Sequence, residues 1–365
     1  MTSLQPLRTI IRTHLPALRS SPCLLVTSSP PLDTKSPNKT TNDFVQSNTQ
    51  LIAHNIRSIP VTIDAAFPTS RKVHEALTLV QRAGVKDGLV LGIGSGPAMD
   101  LAKALSAKLH TGSDDENKLI LAPATLGGMY AASSPQTLLL DTGEEMLLPQ
   151  WSKGKASIAY DAKYFSCAPL YTFDKGLSMA HVAAALLTIL LDVARTIHVA
   201  NEQMKSVAKS CVTVLKAAAT KDESFSHEAQ QHLMEAILQL SILQSTAQET
   251  IPQTLTNALL PTYFPQNHVF TYLGCMLPGL CETLESNGIV EEISKSILDE
   301  TANADLTSWA VSISKEAGIP SMASLAFGTP DLKTLLDKVD AYSTLRRGNE
   351  GVYLISEVLE RSLNR

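Results

Sequence analysis

The stretch Leu91-Gly-Ile-Gly-Ser-Gly-Pro-Ala-Met-Asp-Leu-Ala-Lys103 decides the fold of this 365-residue chain. An apolar segment runs straight into a glycine-rich turn, and Pro97 then stands where the first residue of a helix would be, a position at which proline loses no helical hydrogen bond. Because glycines let a phosphate approach the backbone and a helix N-terminus favours an anion, this order of elements predicts a pyrophosphate site. A turn whose glycines serve packing alone is the alternative. The run lacks the Gly-Lys-Ser/Thr ending of a P-loop, which argues against an NTPase.

Outward from this run, short apolar segments alternate with amphipathic ones over about the first 160 residues. The apolar segments, bounded by Gly, Pro or Ser, have the composition of buried parallel strands. They are residues 24–26, 61–63, 89–93 and 119–122. Apolar residues at helical spacing predict helices over 71–83 and 97–109, and the Ser-, Thr- and Pro-rich segment 28–41 is predicted to be a loop. This alternation predicts a Rossmann-like α/β domain with a doubly wound parallel sheet.

The pattern changes after about Asp174. Long amphipathic segments follow, separated by Gly and Pro, and none has the character of a strand. The predicted helices span 174–198, 202–219, 227–247, 266–282, 288–300, 303–317 and 349–362. We therefore expect two domains, an α/β domain over residues 1–165 and an all-helical domain over residues 166–365.

Composition and charge exclude several classes of protein. The chain is 44% hydrophobic and 18% charged, with 35 acidic and 30 basic side chains, so it is ordinary for a folded protein and offers no basic stripe to nucleic acid. Its five cysteines are scattered without CxxC spacing, as in a protein kept reduced. The most apolar stretch, 183–191, is about half the roughly 20 residues that a membrane-spanning helix needs. We therefore predict a core helix there and no membrane association.

The N-terminal segment bears on the cellular compartment. Arg8, Arg12 and Arg19 lie among Ser, Thr and Leu, and no acidic residue precedes Asp33, as in an organelle transit peptide. The segment nevertheless runs directly into the apolar residues 23–27, which leaves little to cleave. We expect a cytoplasmic protein, with a mitochondrial location as the alternative.

The run 94–103 resembles the Gly-Gly-Gly-Ser-x-x-Asp-x-Ala-Lys element of the iron-containing alcohol dehydrogenases, a superfamily that includes maleylacetate reductases, glycerol dehydrogenases and dehydroquinate synthases. Further segments resemble motifs of this superfamily in the same order. They are Leu121-Ala-Pro-Ala-Thr-Leu-Gly-Gly128, Tyr160-Asp161, Ile251-Pro-Gln-Thr-Leu-Thr-Asn-Ala-Leu-Leu-Pro261, Gly318-Ile-Pro320, Gly328 and Asp331-Leu332. The resemblance covers nearly the whole chain. It implies a dehydroquinate synthase-like fold, in which a Rossmann-like α/β domain precedes an all-α domain.

The resemblance also implies a nicotinamide nucleotide, NAD(P)H, and the residues that bind it. The implied residues are Gly94, Ser95 and Gly96 at the pyrophosphate, Asp100 and Lys103 toward the nicotinamide, and Thr125, Gly127 and Ser133 on the adenine and ribose side. Ala124, Met129 and Pro97 depart from the residues of the superfamily. The choice between NAD and NADP stays open, since no discriminating acidic residue begins the loop after the first strand.

The metal ligands of that superfamily have no counterparts in this sequence. In its metal-dependent members, one Asp and three His hold a divalent ion that polarises the substrate oxygen. The corresponding positions carry Ala185, Ile189, Gln239 and Gln253, and none of these side chains is a good ligand for such an ion. No two of the nine histidines lie three or four residues apart, the spacing that places two ligands on one helical face. We therefore predict that the protein binds no metal.

Without a metal, a reductase needs another group to donate a proton to the developing alkoxide. The candidate catalytic residues are Tyr130, His181 and Gln253, each of which could instead be structural. The predicted function is that of a metal-independent NAD(P)-dependent oxidoreductase, similar to maleylacetate reductase, that acts on a small carbonyl or enone substrate. The resemblance further implies a homodimer. Two alternatives stay open: a non-redox enzyme of the same fold that catalyses a cyclisation, elimination or isomerisation, and a catalytically inactive scaffold.

Overall fold

A computed structural model of the protein divides the chain into two compact units, Met1–Lys175 and Gly176–Arg365. The structure describes residues 7–13, 15–28, 54–63, 68–85, 88–110, 118–134, 157–158, 178–197, 201–220, 226–244, 250–263, 268–286, 305–325, 331–347 and 352–364. The Tyr160-Asp161 element, Gly328 and the helix predicted over 288–300 lie outside the described residues.

A five-stranded parallel sheet organises the first unit. Its strands are β1 (Cys23–Ser28), β2 (Ser58–Ile63), β3 (Val90–Gly94), β4 (Leu119–Pro123) and β5 (Ser157–Ile158). They lie in the order β2-β1-β3-β4-β5, and every neighbouring pair is parallel. The four apolar segments predicted as strands lie in this sheet, which confirms the predicted α/β fold. Strand β1 extends to Ser28, so the loop predicted over 28–41 is wrong at that residue, and residues 29–41 lie outside the described residues.

The central strands are apolar because both faces of the sheet are covered. All residues of β1 and β4 are buried. Strand β2 lies at the edge, has an exposed residue between two buried ones, and contains Pro60. An edge strand accepts proline because one of its sides makes no ladder hydrogen bonds.

The helices of the first unit are α1 (Leu7–Thr13), α2 (Leu15–Ser20), α3 (Ser70–Arg82), α4 (Gly96–Leu109) and α5 (Leu126–Ser133). The helices predicted over 71–83 and 97–109 correspond to α3 and α4 and are confirmed. Helices α1 and α2 belong to the folded unit, since Ile11 and Leu18 are buried in one apolar cluster with Leu25 of β1 and Leu91 of β3.

The carboxyl ends of β1 and β3 form the switch point of the sheet, the place at which the connections between strands leave in opposite directions. From β1 the chain continues to β2 on one side of the sheet, and from β3 it continues to β4 on the other. In open α/β sheets, ligands bind in the crevice that such diverging connections leave. The segment Gly94-Ser95-Gly96, here named the glycine turn, joins β3 to α4 at this point.

All residues described between 178 and 364 form helices or their connections, as the sequence predicts. The helices of this second unit are α6 (Met179–Ile197), α7 (Glu202–Ala219), α8 (Ser226–Gln244), α9 (Ile251–Tyr263), α10 (Val269–Cys275), α11 (Leu277–Ser286), α12 (Leu306–Glu316), α13 (Met322–Leu325), α14 (Leu332–Arg347) and α15 (Val352–Leu363).

Helix α6 is the core helix of the second unit. It contacts each of the helices α7 to α11, and every residue from 182 to 193 is buried, which confirms the prediction made for 183–191. Within the described residues, α6 is also the one helix long and apolar enough to cross a membrane. Because 83% of that stretch is buried inside the protein, packing accounts for its apolar character.

The single helix predicted over 266–282 is wrong, because the structure has two helices, α10 and α11, that meet at Met276. Pro278 has no N–H with which to donate to the carbonyl of Gly274, so a continuous helix would lack that hydrogen bond. The N–H of Met276 donates instead to the Leu273 carbonyl at 3.2 Å, a tighter i to i−3 closure that ends α10.

Candidate functional site

Two serine hydroxyls meet at the switch point of the sheet. The Oγ atoms of Ser28, at the end of β1, and Ser95, in the glycine turn, lie 2.7 Å apart and are buried. Ser28 Oγ also accepts the backbone N–H of Ser95 at 3.1 Å. The pair ties β1 to the first residues of α4.

Ser95 is the N-cap residue of α4, yet its side chain makes no capping hydrogen bond. At other helices the N-cap side chain accepts a backbone N–H, as Thr69 does for α3, Thr125 for α5 and Asp305 for α12. Because the Ser95 hydroxyl faces Ser28 instead, no side-chain cap competes with a ligand anion at the amino end of α4.

Two glycines at the turn are required by contacts inside the protein. Gly94 has φ +129°, and a Cβ there would lie 2.7 Å from Ser28 Oγ. A Cβ on Gly128 would lie 2.5 Å from the Gly94 carbonyl oxygen, which also accepts the N–H of Ala124 at 2.8 Å. A Cβ on Gly96 would make only an ordinary contact, at 3.4 Å from the Gly127 oxygen. The backbone conformation of Gly94 and its contact with Ser28, and the packing of α5 against the Gly94 carbonyl at Gly128, therefore explain these two glycines without any ligand.

Asp100 and Lys103 form a buried ion pair on α4. The Lys103 Nζ lies 3.1 Å from Asp100 Oδ1 and donates to the carbonyls of Ala131 at 2.6 Å and Ser134 at 3.3 Å. Burial lowers the pKa of the Lys103 ammonium, and the Asp100 carboxylate acts in the opposite direction. Both residues are thus bonded within the protein.

The predicted residues of α5 also have partners within the helix. Thr125 caps α5 by accepting the N–H of Gly128 at 2.9 Å, and the Ser133 hydroxyl donates to the Met129 carbonyl at 2.8 Å. Tyr130 is half-buried. The structure brings Thr125 and Gly127 to the amino end of α5, against the glycine turn, whereas Tyr130 and Ser133 lie further along the helix.

His181 lies in the first turn of α6 and is buried. Its Nδ1 accepts the backbone N–H of Ser178 at 3.2 Å. Because a neutral imidazole that accepts at Nδ1 carries its proton at Nε2, this contact selects the tautomer with an Nε2–H donor. In that tautomer His181 can donate a hydrogen bond from Nε2, whereas transfer of a proton from an imidazole requires its doubly protonated form.

Gln253 belongs to a capping box at the start of α9. Its Oε1 accepts from the N–H and the hydroxyl of Thr250 at 3.1 and 2.9 Å, and Thr250 Oγ1 accepts the N–H of Gln253 at 3.3 Å. A hydrogen bond from Gln253 to a substrate would therefore have to come from its amide N–H groups. The motif Thr-x-x-Gln was visible in the sequence and predicts this cap.

A fully buried carboxylate joins α6 to the same end of α9. Asp192 Oδ1 lies 2.5 Å from Arg195 Nε, and Oδ2 accepts the N–H of Ile251 at 2.6 Å. Both oxygens are thus used by the fold. Sequence patterns give no signal for the contact with Ile251, because the two residues are far apart in the chain.

The positions that would carry the metal ligands do not fit a divalent ion. Ala185 and Ile189 are buried in α6 without a donor atom, and the Gln253 oxygen is committed to its cap. Among the described residues, no group of three or more His, Cys, Asp or Glu side chains is placed to hold a metal.

An α/β unit with a parallel sheet followed by an all-helical unit is the fold of the iron-containing alcohol dehydrogenases and maleylacetate reductases, and this chain has that fold over its full length. The likeness confirms the fold that the sequence resemblance implied. No protein-family model matches the sequence, and no curated protein matches it.

Three solved structures show the extent of the likeness. Maleylacetate reductase from a Rhizobium strain has a TM-score of 0.65 at 13% identity, covering 100% of this chain and 97% of its own. An alcohol dehydrogenase from an archaeal halo-thermophile of a Red Sea brine pool has a TM-score of 0.71 at 14% identity, covering 100% and 98%. The iron-containing alcohol dehydrogenase of Thermococcus thioreducens has a TM-score of 0.70 at 14% identity, covering 99% and 97%. At such identity the likeness establishes the fold, and the activity must be argued from the residues.

Proposed function

We propose that this protein is an NAD(P)-dependent oxidoreductase that reduces a small carbonyl or enone substrate without a metal ion. The observation that carries the proposal is the amino end of α4, which lies at the switch point of the sheet and is left uncapped by its own N-cap side chain. A switch point and a helix N-terminus are each suited to a nucleotide phosphate, and here they coincide. The fold shared with alcohol dehydrogenases supports the same proposed function.

The residues at the switch point fit a pyrophosphate. The first turn of α4 offers positive potential, and its N-cap residue Ser95 places no capping side chain there. The nearest carboxylate on α4, Asp100, is neutralised by Lys103 and so would repel an anion only weakly. When bound, the nicotinamide would supply or accept the hydride.

Tyr130 is the candidate proton donor, because a phenolic hydroxyl can give its proton to a developing alkoxide. His181 would donate a hydrogen bond from Nε2 to the same oxygen, since its contact with Ser178 selects the tautomer that carries a hydrogen there. Gln253 would orient a substrate carbonyl through its N–H groups.

A second candidate function is favoured by the packing of the glycine turn. Gly94 and Gly128 are required by contacts inside the protein, and Lys103, Thr125 and Ser133 already have internal partners. A non-redox enzyme or an inactive scaffold of the same fold would keep these residues for stability alone.

Titration of the chelator-treated protein with NADH and NADPH by calorimetry separates the two functions. The informative variant is Ser95→Asp, because aspartate is a good N-cap that preserves α4 but places a carboxylate where the phosphate would bind. Thr69→Asp adds the same charge at the N-cap of α3, in the same unit, and is the matched control.

We expect the wild type and T69D to bind one nucleotide, and S95D to bind it about 100-fold more weakly, since juxtaposed like charges cost several kcal/mol. Equal affinity in S95D and wild type would place the nucleotide elsewhere. A folded wild type that binds neither nucleotide would end the oxidoreductase proposal in favour of the second candidate.

A further inference from the structure

The most deeply buried cation among the described residues is Lys103, whose surface is only 1% exposed. An ammonium group has three N–H donors, and three acceptors lie within reach of it: Asp100 Oδ1 on its own helix and the carbonyls of Ala131 and Ser134. Those two carbonyls belong to the carboxyl end of α5, where helix carbonyls lack partners and a positive charge is favoured. Lys103 therefore caps α5 from the neighbouring helix.

The other end of α5 presses against the glycine turn. Gly128 approaches the Gly94 carbonyl so closely that a Cβ would come within 2.5 Å, and the Ala124 N–H, just before α5, donates to that carbonyl at 2.8 Å. Helix α5 is only eight residues long. A clamp on its carboxyl end thus controls how its amino end meets the turn.

We propose that Lys103 positions the nucleotide site without contacting the nucleotide: its ammonium holds the carboxyl end of α5 against α4 and so fixes Gly127 and Gly128 against the glycine turn. This inference rests on the proposed nucleotide site and assigns Lys103 a different role from the direct contact that the sequence resemblance implies. Direct contact would require the ammonium to leave at least one of its three acceptors and to emerge from nearly complete burial.

The test compares Lys103→Met and Lys103→Gln with the wild type. Methionine has a similar length and no donor, whereas glutamine keeps two N–H donors that can reach a carbonyl. Lys205→Met is the matched control, because Lys205 also pairs with an acidic residue three positions earlier, Glu202 at 3.0 Å, but is 45% exposed and lies in the second unit. For each protein, hydrogen–deuterium exchange is followed across the first unit, and the affinity for NADH and NADPH is measured by calorimetry.

We expect K103M to exchange faster in residues 126–134 and to bind the nucleotide roughly tenfold more weakly or worse, because small displacements of a positioned group are costly. K103Q should be intermediate in both measurements, and K205M should match the wild type in both. If K103M does not fold, the wild type and K103Q carry the comparison.

Two outcomes would overturn the inference. Loss of affinity in K103M with unchanged exchange in residues 126–134 would mean that Lys103 acts through its charge, by direct contact or by neutralising Asp100, and not by holding α5. Faster exchange with unchanged affinity would mean that the clamp has no bearing on the site. If the wild type binds neither nucleotide, the proposed function itself fails and the positioning role falls with it, while exchange in K103M still shows whether Lys103 clamps α5.

Discussion

At the scale of single residues, the side chains expected to bind a nucleotide are used first by the fold. Thr125 caps α5, the Ser133 hydroxyl donates a hydrogen bond to a carbonyl of its own helix, and Lys103 caps α5 from α4. Sequence could place these residues near the glycine turn but could not show their partners, because a hydroxyl or an ammonium suits a helix end as well as a ligand. The sequence pattern assigned Ser28 to a loop and gave no signal for its contact with Ser95.

Gly94→Ala should lower the free energy of unfolding by about 2 kcal/mol, since it combines a strained φ with a Cβ that meets Ser28 Oγ. Gly96→Ala is the control, because its Cβ would make only an ordinary contact. Urea denaturation measures both. Adding Ser28→Ala to G94A should recover part of the loss by removing the oxygen that the Cβ meets. Equal stability of G94A and G96A would contradict the packing described for the turn.

At the scale of elements, the ends of helices follow local chemistry that sequence can anticipate. Asp305 caps α12 by accepting the N–H of Ser308 at 2.6 Å and its hydroxyl at 2.9 Å. These hydrogen bonds, that from the backbone first, hold the pKa of the Asp305 carboxyl below its ordinary value of 3.8.

A carboxyl with a lowered pKa in the folded state contributes stability that is present above its unfolded pKa and is lost as the pH falls through the folded pKa. Asp305→Asn keeps a capping oxygen that does not titrate. We therefore expect the wild type to lose stability relative to D305N as the pH falls. Denaturation curves recorded from about pH 5 down to about pH 2 measure this loss. Asp340→Asn is the control, because it removes an exposed carboxylate from the interior of α14, where no helix cap is lost.

The strands were the easiest elements to predict, because an apolar run bounded by Gly, Pro or Ser fits only a buried strand in a short βαβ unit. The break between α10 and α11 was missed although Pro278 marks it, because the apolar spacing continues across the proline. Gln253 was proposed for chemistry when the local pattern Thr250-x-x-Gln253 already predicted a cap. The tie from Asp192 to Ile251 could not be predicted, since it depends on how two distant helices pack.

At the scale of the whole molecule, a metal-independent fold is a prediction, and among the described residues no group of three or more His, Cys, Asp or Glu side chains is placed to hold a metal. The carboxylate of Asp192 links α6 to α9, and the positions of the superfamily's ligands on α6 are aliphatic. Folding that depends on a metal would make thermal stability rise with metal concentration through mass action.

We expect the melting temperature of the whole chain to be the same after chelator treatment as after addition of Fe²⁺ or Zn²⁺. A bound nucleotide, in contrast, should stabilise the protein by about 2.7 kcal/mol at a concentration of 100 times its Kd. Differential scanning calorimetry measures both effects. A metal-dependent rise in melting temperature that the chelator reverses would contradict the proposal that the protein works without a metal.

The close approach of Gly128 to the Gly94 carbonyl also bears on how such chains change over evolutionary time. Any larger residue at either position is disfavoured by the folded backbone itself, whatever the crevice holds. A lineage that abandoned its nucleotide would therefore remain under selection to keep these two glycines, while Gly96, which has room for a Cβ, would be released to drift. Substitution at Gly96 in a descendant that retains Gly94 and Gly128 would be the mark of a lost cofactor.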